Sequence, residues 1–103
     1  MNLFHLKEMK IFPYEERDKN VFFKSDKFKI RLIELAPGEK MPDCTMRENV
    51  IFYVLKGETT IQINDEKVII KEGDCLISEP GNFSMISKNG VKILGIQIKN
   101  NEN

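Results

Sequence analysis

The isoleucine and alanine counts are the feature that most constrains what this chain can fold into. Thirteen of its 103 residues are isoleucine, whereas Ala36 is the single alanine. Alanine is the best helix former, and β-branched residues favour strands. The sequence therefore predicts an all-β protein with little helix. It also predicts one domain, because two halves of this length would each be too small to bury a core.

Turn signals divide the chain into short apolar segments. Glycine or proline pairs such as Pro37-Gly38, Lys56-Gly57 and Pro80-Gly81 mark the breaks. Between such breaks the sequence predicts strands at residues 21–24, 28–36, 50–55, 59–63, 67–71, 75–78, 83–87 and 91–99. No segment of helical length separates them, so parallel β-α-β units are excluded. An antiparallel sandwich or barrel remains.

Residues 1–20 follow a different pattern. Apolar residues recur there at every third position, at Leu3, Leu6, Met9 and Phe12. This spacing indicates a helical or irregular edge that Pro13 ends, and the polar run 15–20 predicts a solvated turn. We therefore divide the chain into an N-terminal segment 1–20 that forms an edge or a dimer arm, a barrel domain 21–99, and a polar tail 100–103 expected to fray.

Charge and apolar runs limit the partners and the compartment. Sixteen Lys and Arg balance sixteen Asp and Glu, which predicts no nucleic acid and no anionic membrane as partner. The N-terminus has no apolar core of a signal peptide, and the longest apolar run, 50–55, is too short to span a membrane. A cytoplasmic protein with reduced cysteines is expected.

The order of the turn glycines resembles the cupin family over about residues 28–98. Gly38 and Gly57 match the two glycines of the first cupin motif, and Gly73 and Gly81 match those of the second. Glycine serves turns that other residues fill poorly. The resemblance implies a double-stranded β-helix, the jelly-roll barrel that is also described as RmlC-like.

The resemblance also locates the positions at which cupins bind metal. Where the family carries three histidines and a glutamate, this chain has Cys44, Met46, Ser84 and Val50. Val50 offers no lone pair and Ser84 is a poor neutral ligand, so iron, manganese, nickel and zinc are not expected. A soft metal such as Cu(I), held by Cys44 and Met46 with Cys75, is the alternative. We otherwise expect no cofactor.

The candidate ligand-binding site is the barrel interior. Its predicted residues are Cys44, Met46, Val50, Ser84 and Gln97. Strand alternation also offers Arg31 and Gln62 as inward polar residues, and a convergence of these polar groups would mark a pocket. The alternative is a fully packed core, filled by Met41, Met46, Phe52, Val54, Phe83 and Met85.

No catalytic residue is predicted. Cys44 is a candidate nucleophile if Arg47 or Lys40 lowers its pKa, but the single histidine, His5, lies far away in sequence and no other base is evident. The metal-free epimerases of the family use a histidine and a tyrosine, and only Tyr14 and Tyr53 are available here.

The favoured function is a metal-free barrel that binds a small molecule or serves as a structural or accessory module. The alternatives are a cupin-type isomerase, epimerase or dioxygenase with an atypical site, and a ligand-sensing partner of a separate regulator. Residues 1–35 carry more apolar surface than a lone edge needs, and small cupins similar to this chain pair through N-terminal strand exchange or sheet packing. A homodimer is therefore predicted.

Overall fold

The structure is a computed structural model that describes residues 1–100. It contains eight strands: β1 (Val21–Lys24), β2 (Phe28–Leu35), β3 (Lys40–Met46), β4 (Asn49–Ile63), β5 (Glu66–Lys71), β6 (Cys75–Ser78), β7 (Gly81–Ile86) and β8 (Val91–Ile98). Two 3-10 helices, Leu6–Glu8 and Tyr14–Asn20, precede the strands. Every strand pairing is antiparallel, so the predicted all-β class is confirmed.

Strand β4 joins two curved sheets. Its first half pairs with β8 and β6, and β8 continues through β2 to β1; we name these strands sheet A. Its second half pairs with β5 and β7, and β7 continues to β3; we name these strands sheet B. The inward side chains of both sheets form one hydrophobic core. This is the jelly-roll arrangement that the resemblance to cupins implies, and it agrees with the antiparallel sandwich or barrel expected from the strand pattern.

The continuity of β4 corrects one prediction. The sequence predicted two strands separated by a turn at Lys56-Gly57, whereas one strand runs from Asn49 to Ile63. A bulge between Val54 and Lys56 and the positive φ of Gly57, +81°, bend the strand without ending it. A side chain at Gly57 would collide with the carbonyl oxygen of Gly90. Glycine at this position therefore lets the chain pass from sheet A to sheet B.

Strand β3 is absent from the strands that the sequence predicts. Its residues resemble a polar loop, because only Met41, Cys44 and Met46 interrupt the polar ones. The register shifts between Met41 and Cys44, which removes the regular alternation that identifies a strand. Pro42 lies in this irregular part, at the edge of sheet B, where a missing backbone N–H is tolerated.

The N-terminal segment is more ordered than predicted. Residues 14–20 form the second 3-10 helix rather than a solvated turn, and this helix packs against β2. The side chain of Asn20, only 6% exposed, accepts a 2.7 Å hydrogen bond from the Phe12 N–H and donates a 2.9 Å bond to the Phe12 carbonyl. This pair of bonds closes residues 12–20 into a loop over the barrel.

The C-terminal tail and the strand ends can also be compared with the predictions. Of the predicted tail 100–103, residues 101–103 lie outside the described residues, and the Asn100 side chain donates a 2.9 Å hydrogen bond to the Arg47 carbonyl. The predicted strands 21–24 and 75–78 have the observed bounds, and, apart from the two that merge in β4, the remaining ones differ from the observed strands by one or two residues at their ends. Within residues 1–100, no helix is long and apolar enough to cross a membrane.

Candidate functional site

Two polar side chains meet inside one end of the barrel. Arg31 on β2 and Gln97 on β8 lie on the inner face, because their strand partners Gly95 and Val50 also face the core. The Arg31 guanidinium donates a 2.7 Å hydrogen bond to Oε1 of Gln97. The Gln97 amide nitrogen lies 3.9 Å from Sδ of Met46. Sheets A and B therefore both contribute to this polar cluster.

A small cavity opens beside this cluster. Its volume is about 30 Å³, and most of its wall is apolar. The wall is formed by Phe12, Tyr14, Arg17, Asn20, Arg31, Leu32, Ile33, Glu34, Met41, Met46, Phe52, Gly95, Ile96 and Gln97. Such a volume exceeds the roughly 10–15 Å³ needed for one water and falls far below the roughly 300 Å³ of a typical ligand pocket. The packed-core prediction thus holds for most of the interior but not for this end.

The second 3-10 helix forms one side of the cavity. Tyr14 and Arg17 both contribute to the wall, and the Arg17 guanidinium lies 4.5 Å from the centre of the Tyr14 ring. Arg17 also donates a 3.2 Å hydrogen bond to the Tyr14 carbonyl. We name this end of the barrel, bounded by Tyr14, Arg17, Arg31, Met46 and Gln97, the barrel mouth.

Arg31 is charged and partly buried at the mouth without a carboxylate partner. Burial lowers the pKa of its guanidinium, while Asp18 and then Tyr14 act in the opposite direction. Arginine stays protonated in proteins, so the charge persists. Among residues 1–100 the one ion pair joins Lys19 to Glu16, so no carboxylate there lies within 4.0 Å of Arg31.

The structure brings three of the five predicted site residues together at the mouth. Met46 and Gln97 line the cavity. Val50 lies beneath them, fully buried and directly opposite Gln97 in the sheet. Cys44 is partly buried and packs against the core, next to the mouth rather than in its wall.

Ser84 does not face the barrel interior. Phe83 and Met85, each 1% exposed, point into the core on either side of it, so alternation turns Ser84 outward. Its strand partner Gln62 faces outward with it, between the inward Ile61 and Ile63. The prediction of an inward Ser84 and Gln62 is therefore wrong. The glycine spacing located the turn, but the strand phase after it differs by one residue.

Ser84 and Gln62 instead line a polar groove on the outer face of sheet B. The groove has a volume of about 450 Å³, and its other lining residues are Lys40, Asp43, Cys44, Thr45, Asn64, Asn82 and Phe83. Its side chains already bind one another or the backbone: Thr45 donates to Asn82 over 3.0 Å, and Asn64 accepts from the Asn82 N–H over 3.0 Å. These bonds support the turns around Asn64, which has φ +55°.

The residues at the cupin metal positions do not fit a metal ion. Val50 is a hydrocarbon in the core, and Ser84 faces away from Cys44 and Met46. No group of three or more His, Cys, Asp or Glu side chains in the described chain can hold a metal. Cys75 pairs with Tyr53 on the outer face of sheet A, so the predicted soft-metal set loses its third member.

The activation of Cys44 that the sequence leaves open as an alternative is opposed by its surroundings. Burial raises the pKa of its thiol, and Arg17 and Arg31 only partly offset this effect. Arg47 and Lys40 are not among the charges that act on it. The neutral thiol predominates near neutral pH, and it is a weak nucleophile.

Two mouth residues are not among those that the sequence predicts. The sequence offers Tyr14 only as a partner for His5, and it places Arg17 in a solvated turn. His5 is exposed before the first 3-10 helix, and Tyr53 lies on the outer face of sheet A. Burial raises the pKa of Tyr14, and Arg17 lowers it in part. The spacing of three residues between Tyr14 and Arg17 is a usable signal, since it places both on one side of a helical turn.

Comparisons with known proteins agree with this fold. The family model described as a cupin domain matches residues 31–89, which is more than half of the chain. A solved protein of Thermus thermophilus is 19% identical, with a TM-score of 0.79 over 95% of this chain and 97% of that chain.

Two further solved structures are named as cupins. A cupin superfamily protein of Desulfitobacterium hafniense is 23% identical, with a TM-score of 0.72 over 78% of this chain and 74% of that chain. An RmlC-like cupin of Methanocaldococcus jannaschii, described as a double-stranded β-helix, is 20% identical, with a TM-score of 0.69 over 77% and 76%. No curated protein matches the sequence. At these identities the likeness establishes the fold.

Proposed function

The chain belongs to the cupin family, and from that premise we propose that it is a metal-free cupin that binds a small molecule at the barrel mouth. The observation that carries this proposal is Arg31. Its charged head lies inside the barrel, bonded to Gln97 and facing a cavity, without a carboxylate among residues 1–100. Placing a charge in partly buried surroundings costs free energy unless a partner compensates it. A ligand supplies such a partner.

The composition of the mouth also supports binding. Ligand pockets combine a mostly apolar wall with a few converging polar groups, and the mouth has this composition. A typical ligand is larger than the cavity of about 30 Å³, so its entry requires the loop 12–20 to move outward. That loop is held by the two hydrogen bonds between Asn20 and Phe12, by its packing on β2 and by Tyr14 against the core. It contains no strand of either sheet, so it can open locally while the barrel stays folded.

The experiment is a fragment screen by two-dimensional NMR on the full chain. We expect binders to shift the amide signals of residues 12–20, Arg31 and Gln97. Gly95→Val tests the location, because its side chain projects between Ile33 and Phe52, where a Cβ would lie 3.4 Å from each. This variant should abolish the shifts at the mouth.

Ser84→Val is the matched control, since it adds a similar side chain on the outer groove of sheet B. It should leave binding at the mouth unchanged. Shifts that instead cluster at Gln62, Asn82 and Ser84, and that disappear in Ser84→Val, would contradict the proposed location. A complete absence of binders would favour the structural or accessory module over a binding protein.

We also propose that the chain forms a homodimer through the outer face of sheet A. Four isoleucines lie in register across this face, each opposite the next: Ile30, Ile96, Ile51 and Ile77. The adjacent row contains Leu94, Tyr53 and Cys75, and it ends at Leu32, which is 1% exposed and therefore already covered within the chain. Ile77 is 71% exposed and Tyr53 is 40% exposed. In a two-fold dimer the same surface of both subunits meets, and an apolar row of this kind can pack against its own copy.

The N-terminal aromatic residues pack on one another. Phe4 packs on Phe22 at 4.8 Å between ring centres, and Phe23 stacks on Phe28 at 5.4 Å. These contacts cover part of the N-terminal apolar surface, while Met1 and Leu3 remain exposed. We place the interface on sheet A because its apolar rows are longer and lie in register.

Light scattering after size-exclusion chromatography tests the dimer. Ile51→Asp should convert a dimer into a monomer, because it places a charge in the middle of the isoleucine row. Ile69→Asp is the control on the outer face of sheet B, where Ile69 is 64% exposed. A monomeric parent protein, or a dimer that survives Ile51→Asp and dissociates with Ile69→Asp, would overturn this interface.

The cysteines agree with a cytoplasmic location, which we include in the proposal. Cys44 and Cys75 are both free, and Cys75 is exposed. An exposed thiol is better tolerated in a reducing compartment.

A further inference from the structure

We propose that the barrel mouth recognises the carboxylate of a small organic acid, with Arg31 as the anchoring group and Arg17 as a second cation. This inference rests on the proposed binding function and names the ligand class. Among residues 1–100, both arginines lack a carboxylate within 4.0 Å, and both contribute to the wall of the same cavity. The two arginines at this site therefore lack a negatively charged partner.

The state of Arg31 makes it suited to the anchoring role. Its one hydrogen bond to a described side chain goes to Gln97, over 2.7 Å, which fixes the guanidinium and leaves most of its donors free. A guanidinium offers five N–H donors in a planar fork that matches a carboxylate in two parallel bonds. Gln97 thus holds the fork in place without neutralising it.

Arg17 approaches the same cavity from the second 3-10 helix. Its guanidinium is held against the Tyr14 ring and by the Tyr14 carbonyl, so its position is also defined. Asp18 is the acidic residue that most affects Arg31, but it acts from beyond ion-pair distance. Glu34 also belongs to the wall, but it is exposed on β2 between the buried Ile33 and Leu35 and lies beyond ion-pair distance of both arginines. The mouth therefore presents two arginines that neither Asp18 nor Glu34 pairs with.

The rest of the wall selects an organic acid rather than a free inorganic anion. Phe12, Ile33, Met41, Met46 and Phe52 surround the space in front of the polar cluster. A cavity of about 30 Å³ accommodates a carboxylate-sized head, and an attached short hydrocarbon chain would contact these apolar side chains once the loop 12–20 opens. Phosphate would leave the apolar wall without a partner.

The test is a set of NMR titrations of the full chain with butyrate, butyramide and inorganic phosphate. Butyramide has nearly the shape of butyrate and no charge. We expect saturable shifts at Arg31, Gln97 and residues 14–17 with butyrate, and affinity lower by about tenfold or more for butyramide, the range expected for charged hydrogen bonds. Phosphate should bind more weakly than butyrate at these residues.

Variants separate the role of Arg31 from general charge. Arg31→Gln should weaken butyrate by about tenfold or more, and Arg31→Lys, which keeps the charge without the fork, should lose less. Arg47→Gln removes an exposed arginine outside the mouth and should leave butyrate affinity unchanged. The dispersion of each variant's NMR spectrum establishes that it is folded.

Each outcome has a distinct meaning. Equal binding of butyrate and butyramide at the mouth, insensitive to Arg31→Gln, would overturn the carboxylate class and leave the binding function standing. Phosphate binding more tightly than butyrate at the same residues would overturn the organic acid. No shift at the mouth with any of the three probes would overturn the inference, while the fragment screen decides the binding function separately.

Discussion

The two ends of the barrel interior treat polar groups differently. At the end opposite the mouth, Thr59 and Ser87 are each no more than 2% exposed. The Thr59 hydroxyl donates a 2.8 Å hydrogen bond to the Ile86 carbonyl, and the Ser87 hydroxyl donates a 2.6 Å bond to the Glu58 carbonyl. At the mouth, Arg31 and Gln97 bond to one another and face a cavity. We name the first region the closed end.

This difference indicates which end stabilises the fold and which end is available for binding. Both buried hydroxyl groups of the closed end are satisfied by the main chain, and the neighbouring side chains Leu35, Val54, Val91 and Ile93 are buried. The mouth holds a charge that the described chain does not neutralise. Proteins keep such locally destabilising groups at sites where function requires them.

Ile93→Ala should give the largest loss of stability. Ile93 is fully buried at the closed end, and its truncation leaves a cavity that costs about 2–5 kcal/mol. Urea unfolding measures this change. Ile69→Ala is the matched control on an exposed position and should cost less than about 0.5 kcal/mol. Equal losses in the two variants would contradict the assignment of the core.

Asn20→Ala should have a smaller effect, confined to the loop over the mouth. It removes both hydrogen bonds to Phe12 and leaves a backbone N–H and carbonyl without partners, at a cost of about 1–3 kcal/mol. We expect faster limited proteolysis within residues 12–20, while the barrel stays folded. Asn89→Ala, at an exposed turn, is the control. Unchanged cleavage in Asn20→Ala would show that other contacts hold the loop.

Cys44 should make a still smaller, pH-dependent contribution. Burial raises the pKa of its thiol above 9.0, so the folded state favours the neutral form. The resulting stabilisation is complete below the unfolded pKa and is lost as pH rises through the higher folded value. The free energy of unfolding should therefore fall more steeply above about pH 9 in the parent than in Cys44→Ala.

Alkylation provides the second readout for the cysteines. Iodoacetamide near neutral pH should modify the exposed Cys75 well before Cys44, because Cys44 is partly buried and its pKa is raised. Mass spectrometry of peptides quantifies both sites. Faster modification of Cys44 would mean that its thiol is activated after all.

The fold could be predicted from the positions of the turns. The site residues could not, because they depend on which residues of each strand face the barrel interior. Of the four glycines that carry the cupin resemblance, Gly38, Gly57 and Gly73 adopt positive φ and Gly81 does not, so three of the four mark a backbone geometry that favours glycine. Ser84 was misplaced because a single residue of phase exchanges the inner and outer faces of a strand. Strand β3 was missed because the bulge near Pro42 hides its alternation.

Part of the mouth was predictable and part was not. Arg31 and Gln97 were identified as inward polar residues from alternation, and the structure brings them within 2.7 Å. Tyr14 and Arg17 reach the same place from the 3-10 helix that directly precedes β1 and belongs to neither sheet. Their position depends on how the loop 12–20 packs over β2, which no local pattern specifies.

The double variant Arg31→Met, Gln97→Leu tests the central claim most directly: the polar groups of the mouth serve binding and not stability. Both side chains are replaced by apolar ones of similar size, so no polar partner is left unpaired. Urea unfolding should give a free energy equal to or slightly above that of the parent protein. A loss of more than about 2 kcal/mol, comparable with a core truncation, would show that the mouth is part of the structural core.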